Sequence, residues 1–344
     1  MVAAPESSGV SFLPVRPPVA AEFPLMSQHH DLPFRPDTMV WGTFDAAIPP
    51  AIEIDSGDTV SMHALPACIS SRLPKDPSYD VPGLLLEAMK TLPQGPSSHF
   101  VSGPVAVRGA QPGDVLQVDI LEVEPWMDWG YMTIQPLKGT LPDDFPEASL
   151  IHPRIDREAG MIRMLPGLDV PLDPFFGVMG VAPPPAWGAQ PTMVPQVFGG
   201  NLDNKELRAG ATLFLPVLAP GALFSAGDGH GAQGDGEVCL TGLETGLRGR
   251  FRLTVRRELG WAWPFAETGE HLISMGMNED LDDAARQAVR EMIAHIVRRT
   301  TLSREQAYML CSLAGDLHVT QTVDGNKGVH MMLRKALLAG VQRA

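Results

Sequence analysis

The chain has 344 residues, of which 44% are hydrophobic and 19% charged, so it is long enough to bury a full core and an enclosed site. Its formal charge of -14 at pH 7 argues against a nucleic-acid partner, because phosphate binding requires a basic surface. Three cysteines without a CxxC pair argue against a disulfide framework or a zinc knuckle, and they favour a reducing cytoplasm.

Residues 1–37 are rich in Pro, Ser and Ala and have no sustained periodicity, which predicts an extended N-terminal arm. The arm lacks the basic start and apolar stretch of a secretion signal. No later run reaches the roughly 18 apolar residues of a membrane span. We therefore expect neither export nor a membrane partner.

Residues 38–195 are predicted to form a β-sandwich or barrel body. Short alternating runs separated by turn signals indicate strands, as at Ile52–Ile54, Val60–Met62 and Leu116–Ile120. The stretch from about Trp126 to Pro195 is dense in Pro and Trp and too irregular for a helix or a long strand. We expect it to form long loops of the kind that often line binding sites.

Residues 196–270 continue the β pattern, with strands predicted at Thr212–Val217 and at Phe251–Val255. Residues 271–344 are predicted to be an α+β segment, the only part expected to contain helix. Its elements are one helix from Leu281, with Asp residues at its start and Arg residues at its end, a second from the capping box Ser303/Gln306 to Gly315, a strand at Leu317–Val323, a turn at Asp324-Gly325, and a short helix from about Gly328 to Leu338.

One segment concentrates chemistry-bearing residues. Between Gly227 and Glu237, five glycines alternate with four potential metal ligands, namely Asp228, His230, Asp235 and Glu237. A divalent ion held by imidazole and carboxylates polarises a carbonyl and lowers the pKa of bound water to about 7. A free carboxylate such as Glu237 can then shuttle a proton. The alternative is a structural loop, since Asp-rich glycine segments often only make turns.

Other signatures in this region are weak. The sequence from Gly229 to Gly234 matches GxGxxG, but Val238-Cys239-Leu240 has strand character where a dinucleotide motif needs a helix. The same strand character favours a buried structural thiol for Cys239 over a nucleophile. No GxSxG, HExxH or phosphate-loop motif is present. His318 and His330 flank the last turn and are interpreted as structural or surface residues.

Four segments together resemble the acetamidase/formamidase family: Gly103–Ala110, Gly199–Asp203, Gly221–Cys239 and Leu313–Gln321. The likeness runs in order from about Met39 to Leu338. It implies a mainly β fold with a jelly-roll-like sandwich, a β-barrel portion and an α+β C-terminal segment. It also implies hydrolysis of small linear amides such as formamide or acetamide to a carboxylate and ammonia, an associated zinc or calcium ion, and assembly into homodimers or larger homo-oligomers.

The resulting hypothesis is a metal-assisted amidase. Asp203, Asp228 and His230 hold a divalent metal, with zinc preferred to calcium, and Glu237 acts as general base and then acid beside Asp228 and His230. The small amide substrate is expected to contact Gly200, Asn201 and Gln233, and NH groups of the glycine loop are expected to stabilise the oxyanion.

Two departures from the family pattern leave alternatives open. Relatives often carry His where this chain has Val40 and Phe198, so it lacks two candidate ligands. An oxygen-rich ligand set, weak metal binding or altered catalysis are the consequences that this difference leaves open. The alternatives are a cysteine-nucleophile amidase that uses Cys239 and a binding protein that kept the fold with a degenerate site.

Overall fold

The computed structural model describes residues 27–343, and its strands are numbered here in chain order. The first group comprises β1 (His29–Asp31), β2 (Met39–Trp41), β3 (Thr43–Phe44), β4 (Ile52–Ile54), β5 (Thr59–Ala64), β6 (Phe100–Val107) and β7 (Val115–Ile134). The second comprises β8 (Ser149–Ile151), β9 (Arg154–Asp156), β10 (Met161–Leu165), β11 (Leu168–Pro171), β12 (Phe175–Gly180), β13 (Gln190–Pro191) and β14 (Gly199–Asn201). The third comprises β15 (Thr212–Pro216), β16 (Phe224–His230), β17 (Glu244–Arg256), β18 (Phe265–Glu267), β19 (His271–Asn278), β20 (Gly315–Gln321) and β21 (Lys327–Arg334).

The described chain also contains the helices α1 (Gly83–Thr91), α2 (Leu281–Arg299) and α3 (Arg304–Ala314). Nineteen strands belong to one hydrogen-bonded network, and β3 pairs with β13 in a separate two-stranded sheet. The pairings are antiparallel except for β1 with β5 and β4 with β6. The mainly β prediction is confirmed, although the strands of residues 27–343 do not close into a barrel.

The body is organised around two long strands. The 20-residue strand β7 runs antiparallel to the 13-residue strand β17, and β5 pairs with β17 as well. From Phe251 to Val255 the side chains of β17 alternate between buried and partly or fully exposed, as predicted. The main hydrophobic core collects the buried residues of these strands with those of β6, β12, β15 and β16. A large fixed sheet of this kind supplies rigid positions for a site.

The glycine-rich segment predicted as a loop is a strand up to His230. β16 is buried along its whole length and pairs with β12, β6 and β17. Its glycines permit close approach, because a Cβ at Gly227 would lie 2.1 Å from the Phe100 carbonyl oxygen and one at Gly229 would lie 2.6 Å from the Thr245 oxygen. The loop begins only at Gly231, so Asp228 and His230 have the fixed directions of strand side chains.

The C-terminal segment is α+β, as predicted. Asp280 caps α2 by accepting from the backbone NH groups of Asp282 and Asp283, and the capping box of Ser303 and Gln306 begins α3. α2 packs its apolar side on β19 and β21, where Ala288 and Met292 share a core with Met331. The predicted strand after α3 is β20, and the Asp324-Gly325 turn lies between β20 and β21.

Three further predictions of secondary structure, outside the glycine segment, are wrong. The helix expected from Gly328 to Leu338 is the strand β21, followed by a single 3-10 turn at Lys335–Leu338. α1 lies outside the segment expected to hold all helix. The stretch from about Trp126 to Pro195 contains the second half of β7 and the strands β8 to β13. β21 lies between β19 and β20, and ladder bonds on both edges override the local preference for helix.

Residues 1–26 of the predicted N-terminal arm lie outside the described residues. The remainder begins with β1, which pairs in parallel with β5 through His29–Asp31 and Thr59–Ser61. Among residues 27–343, no helix combines the length and apolar character needed to cross a membrane.

Candidate functional site

Five carboxyl groups surround one imidazole in the interior of the molecule. The imidazole belongs to His230, and the carboxyl groups belong to Asp203, Asp228, Glu237, Glu244 and Asp324. Each of the six residues is at most 6% exposed. Their ligand atoms form overlapping groups of three within 4.8 Å of one another. Asp228, His230, Glu237, Glu244 and Asp324 also line a cavity of about 440 Å³.

Strand geometry places three of these groups. Asp228 and His230 are two residues apart on β16 and therefore point to the same side of the sheet. Glu244 begins β17 directly opposite His230 in the antiparallel register. The His230 Nε2 atom consequently lies 3.0 Å from Glu244 Oε1 and 3.4 Å from Asp228 Oδ2.

Loops supply the other carboxyl groups in constrained conformations. Asp203 follows β14, Glu237 lies in the loop after β16, and Asp324 lies between β20 and β21. The φ angles of Asp203, Asp228 and Glu237 are +42°, +56° and +44°, in the left-handed region that costs L-residues about 1 kcal/mol each. Such positions persist only where surrounding structure holds them, which is typical of functional sites.

Gly177 of β12 provides the space in which two of these carboxylates meet. A Cβ built there would lie 2.4 Å from Asp203 Oδ1 and 2.6 Å from Asp228 Oδ2. It would also lie 3.2 Å from Cε1 of His230. The absence of a side chain at position 177 is therefore a requirement of the observed cluster.

Gln233 fixes the orientation of the imidazole. Its Oε1 lies 2.8 Å from His230 Nδ1, and its amide nitrogen donates to the Asp203 carbonyl oxygen at 2.8 Å. With Nδ1–H donated to Gln233, Nε2 is the imidazole nitrogen that faces Asp228 and Glu244. Both ends of the amide side chain predicted to bind substrate are thus engaged in positioning the site.

The charges of the cluster are strongly coupled. Burial alone would lower the pKa of His230, but Glu244 and Asp228 outweigh it and raise that pKa well above its usual range. Burial raises the pKa of Glu244 to about 8, with Asp228 acting in the same direction and His230 opposing it. Burial would also raise the pKa of Asp228, but the imidazoles of His99 and His230 hold it below its ordinary value. The cluster therefore combines one carboxylate that stays ionised with others that hold protons readily.

Several buried oxygens of the cluster have no hydrogen-bond partner among the described residues. They are both carboxylate oxygens of Asp203, Oδ1 of Asp228, Oε2 of Glu237, Oε2 of Glu244 and Oδ2 of Asp324. Unpaired buried carboxylate oxygens are costly unless a proton or a cation compensates them. A divalent cation fits this donor set of imidazole nitrogen and carboxylate oxygens.

The predicted ligands and the predicted base converge, since Asp203, Asp228, His230 and Glu237 all belong to the cluster. Asn201 is 3% exposed and lines the cavity, and its Oδ1 has no partner within residues 27–343. Gly200 is buried in β14 beside Asn201. The cluster forms without positions 40 and 198, because Val40 packs against the main core and Phe198 lies within it.

Sequence reasoning missed Glu244, Asp324 and His99. Glu244 joins the site through strand register, and the Asp324-Gly325 pair by itself predicts only a turn. His99 lines the cavity just before β6, with its Nδ1 3.0 Å from Thr192 Oγ1. Asp-Gly signals a turn in any sequence, so only the arrangement in space reveals the second role of Asp324.

The structure narrows one expectation about the glycine segment and corrects another. The NH groups of Gly231 and Gly236 donate to the backbone carbonyls of Leu243 and Thr320, so they are not free to bind an oxyanion. Cys239 lies in a turn, not in a strand, and is only partly buried. Its thiol donates to the Thr241 carbonyl oxygen at 3.7 Å, and no base contacts it among the described hydrogen bonds.

The sequence of this chain is similar to that of one known family. The model of the Acetamidase/Formamidase family matches residues 36–187 and 184–259. A formamidase of Methylophilus methylotrophus is 31% identical over 42% of this chain and 48% of its own length. An acetamidase of Mycolicibacterium smegmatis is 29% identical over 42% of this chain and 50% of its own length. The chain thus spans about half the length of these curated relatives.

The fold agrees with these matches. The crystal structure of an acetamidase from Bacillus halodurans superimposes with a TM-score of 0.79 and 30% identity, covering 91% of this chain and 99% of that one. The matched residues include the strands β6, β7 and β12, the segment from Gly199 to Asp203, and β16 with the loop that follows it. The chain belongs to the acetamidase/formamidase family.

Proposed function

We propose that this protein hydrolyses small linear amides of the formamide and acetamide type to a carboxylate and ammonia. The observation that carries the proposal is the buried group of five carboxyls around His230, beside a cavity of about 440 Å³. Several of its oxygens have no hydrogen-bond partner within residues 27–343. Family membership and the relatives named formamidase and acetamidase support the same reaction.

Amide hydrolysis demands three things of a site. The carbonyl oxygen must be polarised, a water must be made nucleophilic, and the leaving nitrogen must be protonated. We propose that Asp203, Asp228 and His230 hold a divalent cation, with zinc preferred because calcium rarely accepts an imidazole ligand. When bound there, such a cation supplies Lewis-acid polarisation and lowers the pKa of water.

Glu237 is proposed to move the proton. Its Oε1 accepts from the Gly242 NH at 3.1 Å, which leaves Oε2 without a partner among the described residues. Burial, together with Asp203 and Asp324, raises the pKa of Glu237 well above its usual range. A carboxyl group with a raised pKa can take a proton from water as base and return it to the amide nitrogen as acid.

Asn201 is proposed to position the substrate. Its buried Oδ1 lies at the cavity and can accept an N–H of the amide. A site that hydrogen-bonds the NH group of a substrate rejects analogues that lack it. The neighbouring Gly200 keeps the backbone at Asn201 free of side-chain bulk, with a φ of +95°.

The Glu237→Gln variant tests this assignment. It keeps the shape of the side chain, so we expect normal folding and cation binding but at least a hundredfold loss of ammonia release from formamide and acetamide. The exposed Glu158→Gln serves as the matched control and should keep full activity. Activity of Glu237→Gln within threefold of the native protein would contradict the role of Glu237.

Assembly and compartment are also proposals. A homodimer or larger homo-oligomer agrees with the family resemblance, and Tyr308, Met309 and Leu313 leave apolar area exposed on α3. A cytoplasmic location agrees with the three free cysteines of the described chain. Light scattering of the protein as it elutes from a size-exclusion column gives its mass. A mass of 37.1 kDa, that of a single chain, would refute the homo-oligomer.

A further inference from the structure

A second group of metal-ligating side chains lies outside the amide cavity. Asp235, His318 and His330 bring one ligand atom each to within 4.8 Å of one another. Asp235 lies in the loop after β16, while His318 and His330 face each other across the antiparallel pair β20 and β21. Three residues from three separate parts of the chain therefore converge on one point.

His330 has an imidazole nitrogen for which the described chain offers no partner. The residue is completely buried, and its Nε2 makes no hydrogen bond within residues 27–343. Its Nδ1 lies 2.7 Å from Thr320 Oγ1. When Nδ1–H donates to that hydroxyl, Nε2 carries a lone pair, which is the arrangement found in metal-bound histidines.

The other two members are more accessible. His318 Nδ1 lies 3.0 Å from Asp235 Oδ2, with side-chain exposures of 32% and 30%. The two imidazole rings are nearly parallel, at 5°, with centroids 4.9 Å apart. The partly exposed ring of His318 has the freedom to turn toward a shared ligand, whereas His330 is fixed.

One cation of the protein competes for the same carboxylate. Lys205 Nζ lies 3.2 Å from Asp235 Oδ2 and 2.9 Å from Glu206 Oε1. A doubly charged ion at Asp235 would repel this ammonium group, which would keep its ion pair with Glu206. Lys205 would therefore weaken the binding of a cation at Asp235 without preventing it.

We propose that Asp235, His318 and His330 form a second divalent-cation site of the zinc class. Two imidazoles and one carboxylate are a common protein donor set for zinc, and water completes the coordination. The site lies two residues before Glu237 in the same loop, which is already joined to β20 by Gly236 NH to the Thr320 oxygen at 3.0 Å. A bound ion would add a stronger link between that loop and β20.

The test is a Co²⁺ titration of the full chain after removal of metals, followed by visible absorption and calorimetry. We expect His318→Asn and Asp235→Asn each to bind one equivalent fewer than the native protein, and both residues are exposed enough to be replaced without unfolding. Lys205→Met should bind the same equivalent about tenfold more tightly, because it removes the competing charge. The difference between the Co²⁺ equivalents bound by the native protein and by each variant identifies this site, whereas the total number bound does not. The result therefore does not depend on whether the amide cavity also binds Co²⁺.

Two outcomes would overturn the proposal. Identical stoichiometry and affinity for the native protein, His318→Asn and Asp235→Asn would show that the three side chains do not bind the ion. An unchanged or weaker affinity in Lys205→Met would show that the ion does not contact Asp235. In either case ammonia release from formamide can still be measured, so failure here is distinguishable from failure of the amidase proposal.

Discussion

The replacement Gly177→Ala tests the geometry of the site at its most crowded point. The new Cβ would lie 2.4 Å from Asp203 Oδ1 and 2.6 Å from Asp228 Oδ2. To reach an ordinary contact of about 3.4 Å, the two carboxylates would have to move by about 1.0 and 0.8 Å. Displacement of catalytic groups by about 1 Å costs about a hundredfold in rate. We therefore expect ammonia release from formamide to fall at least a hundredfold.

The matched control is Gly234→Ala, in the loop that carries Glu237. No atom of residues 27–343 lies within 4 Å of a Cβ built at Gly234, and the φ angle of Gly234 is not in the left-handed region. This variant should keep activity within about threefold of the native protein. Circular dichroism and thermal unfolding establish that both variants fold. If a folded Gly177→Ala also kept activity within threefold, the carboxylates of Asp203 and Asp228 would not act together as we argue.

Two further predictions concern other groups. Cys239→Ala should keep full activity, because the thiol contacts the Thr241 carbonyl oxygen and not a catalytic base. For the same reason iodoacetamide should not inactivate the native protein. Rapid inactivation that substrate prevents would favour a cysteine nucleophile. Burial, with help from Arg299 and Arg298, lowers the pKa of His295 to about 2, so between that value and about 6.5 the unfolded chain binds the extra proton. The free energy of unfolding, measured with urea, should therefore decrease by about 1.4 kcal/mol for each pH unit below pH 6.5. The His295→Gln variant should lose this contribution to the pH dependence. Equal pH dependence of the free energy of unfolding in the native protein and the variant would contradict the role of His295.

The C-terminal helices were predictable because their signals are local. Asp280 reaches NH groups two and three residues ahead, and Ser303 and Gln306 bond each other within one turn. β21 was not predictable in this way. The strand β21 is stabilised by hydrogen bonds to β19 and β20, and its own sequence does not indicate those contacts.

The residues of the candidate site also differ in whether the local sequence predicts them. Asp228, His230 and Glu237 stand together in one glycine-rich segment, so composition and family resemblance located them. Glu244 enters the site because β17 pairs with β16 in one register, and a slip of one residue would turn its side chain to the other face. Asp324 and His99 come from distant segments whose approach depends on the packing of the whole sheet network.

We propose that the carboxylate cluster around His230 hydrolyses amides with the help of a divalent cation. The most direct measurement joins elemental analysis of the purified protein with ammonia release from formamide before chelation, after chelation and after readdition of zinc. We expect at least one bound equivalent of metal, loss of activity when chelation removes that metal, and recovery of activity when zinc is added back. Full activity in protein that retains less than about a tenth of an equivalent of any divalent metal would contradict it.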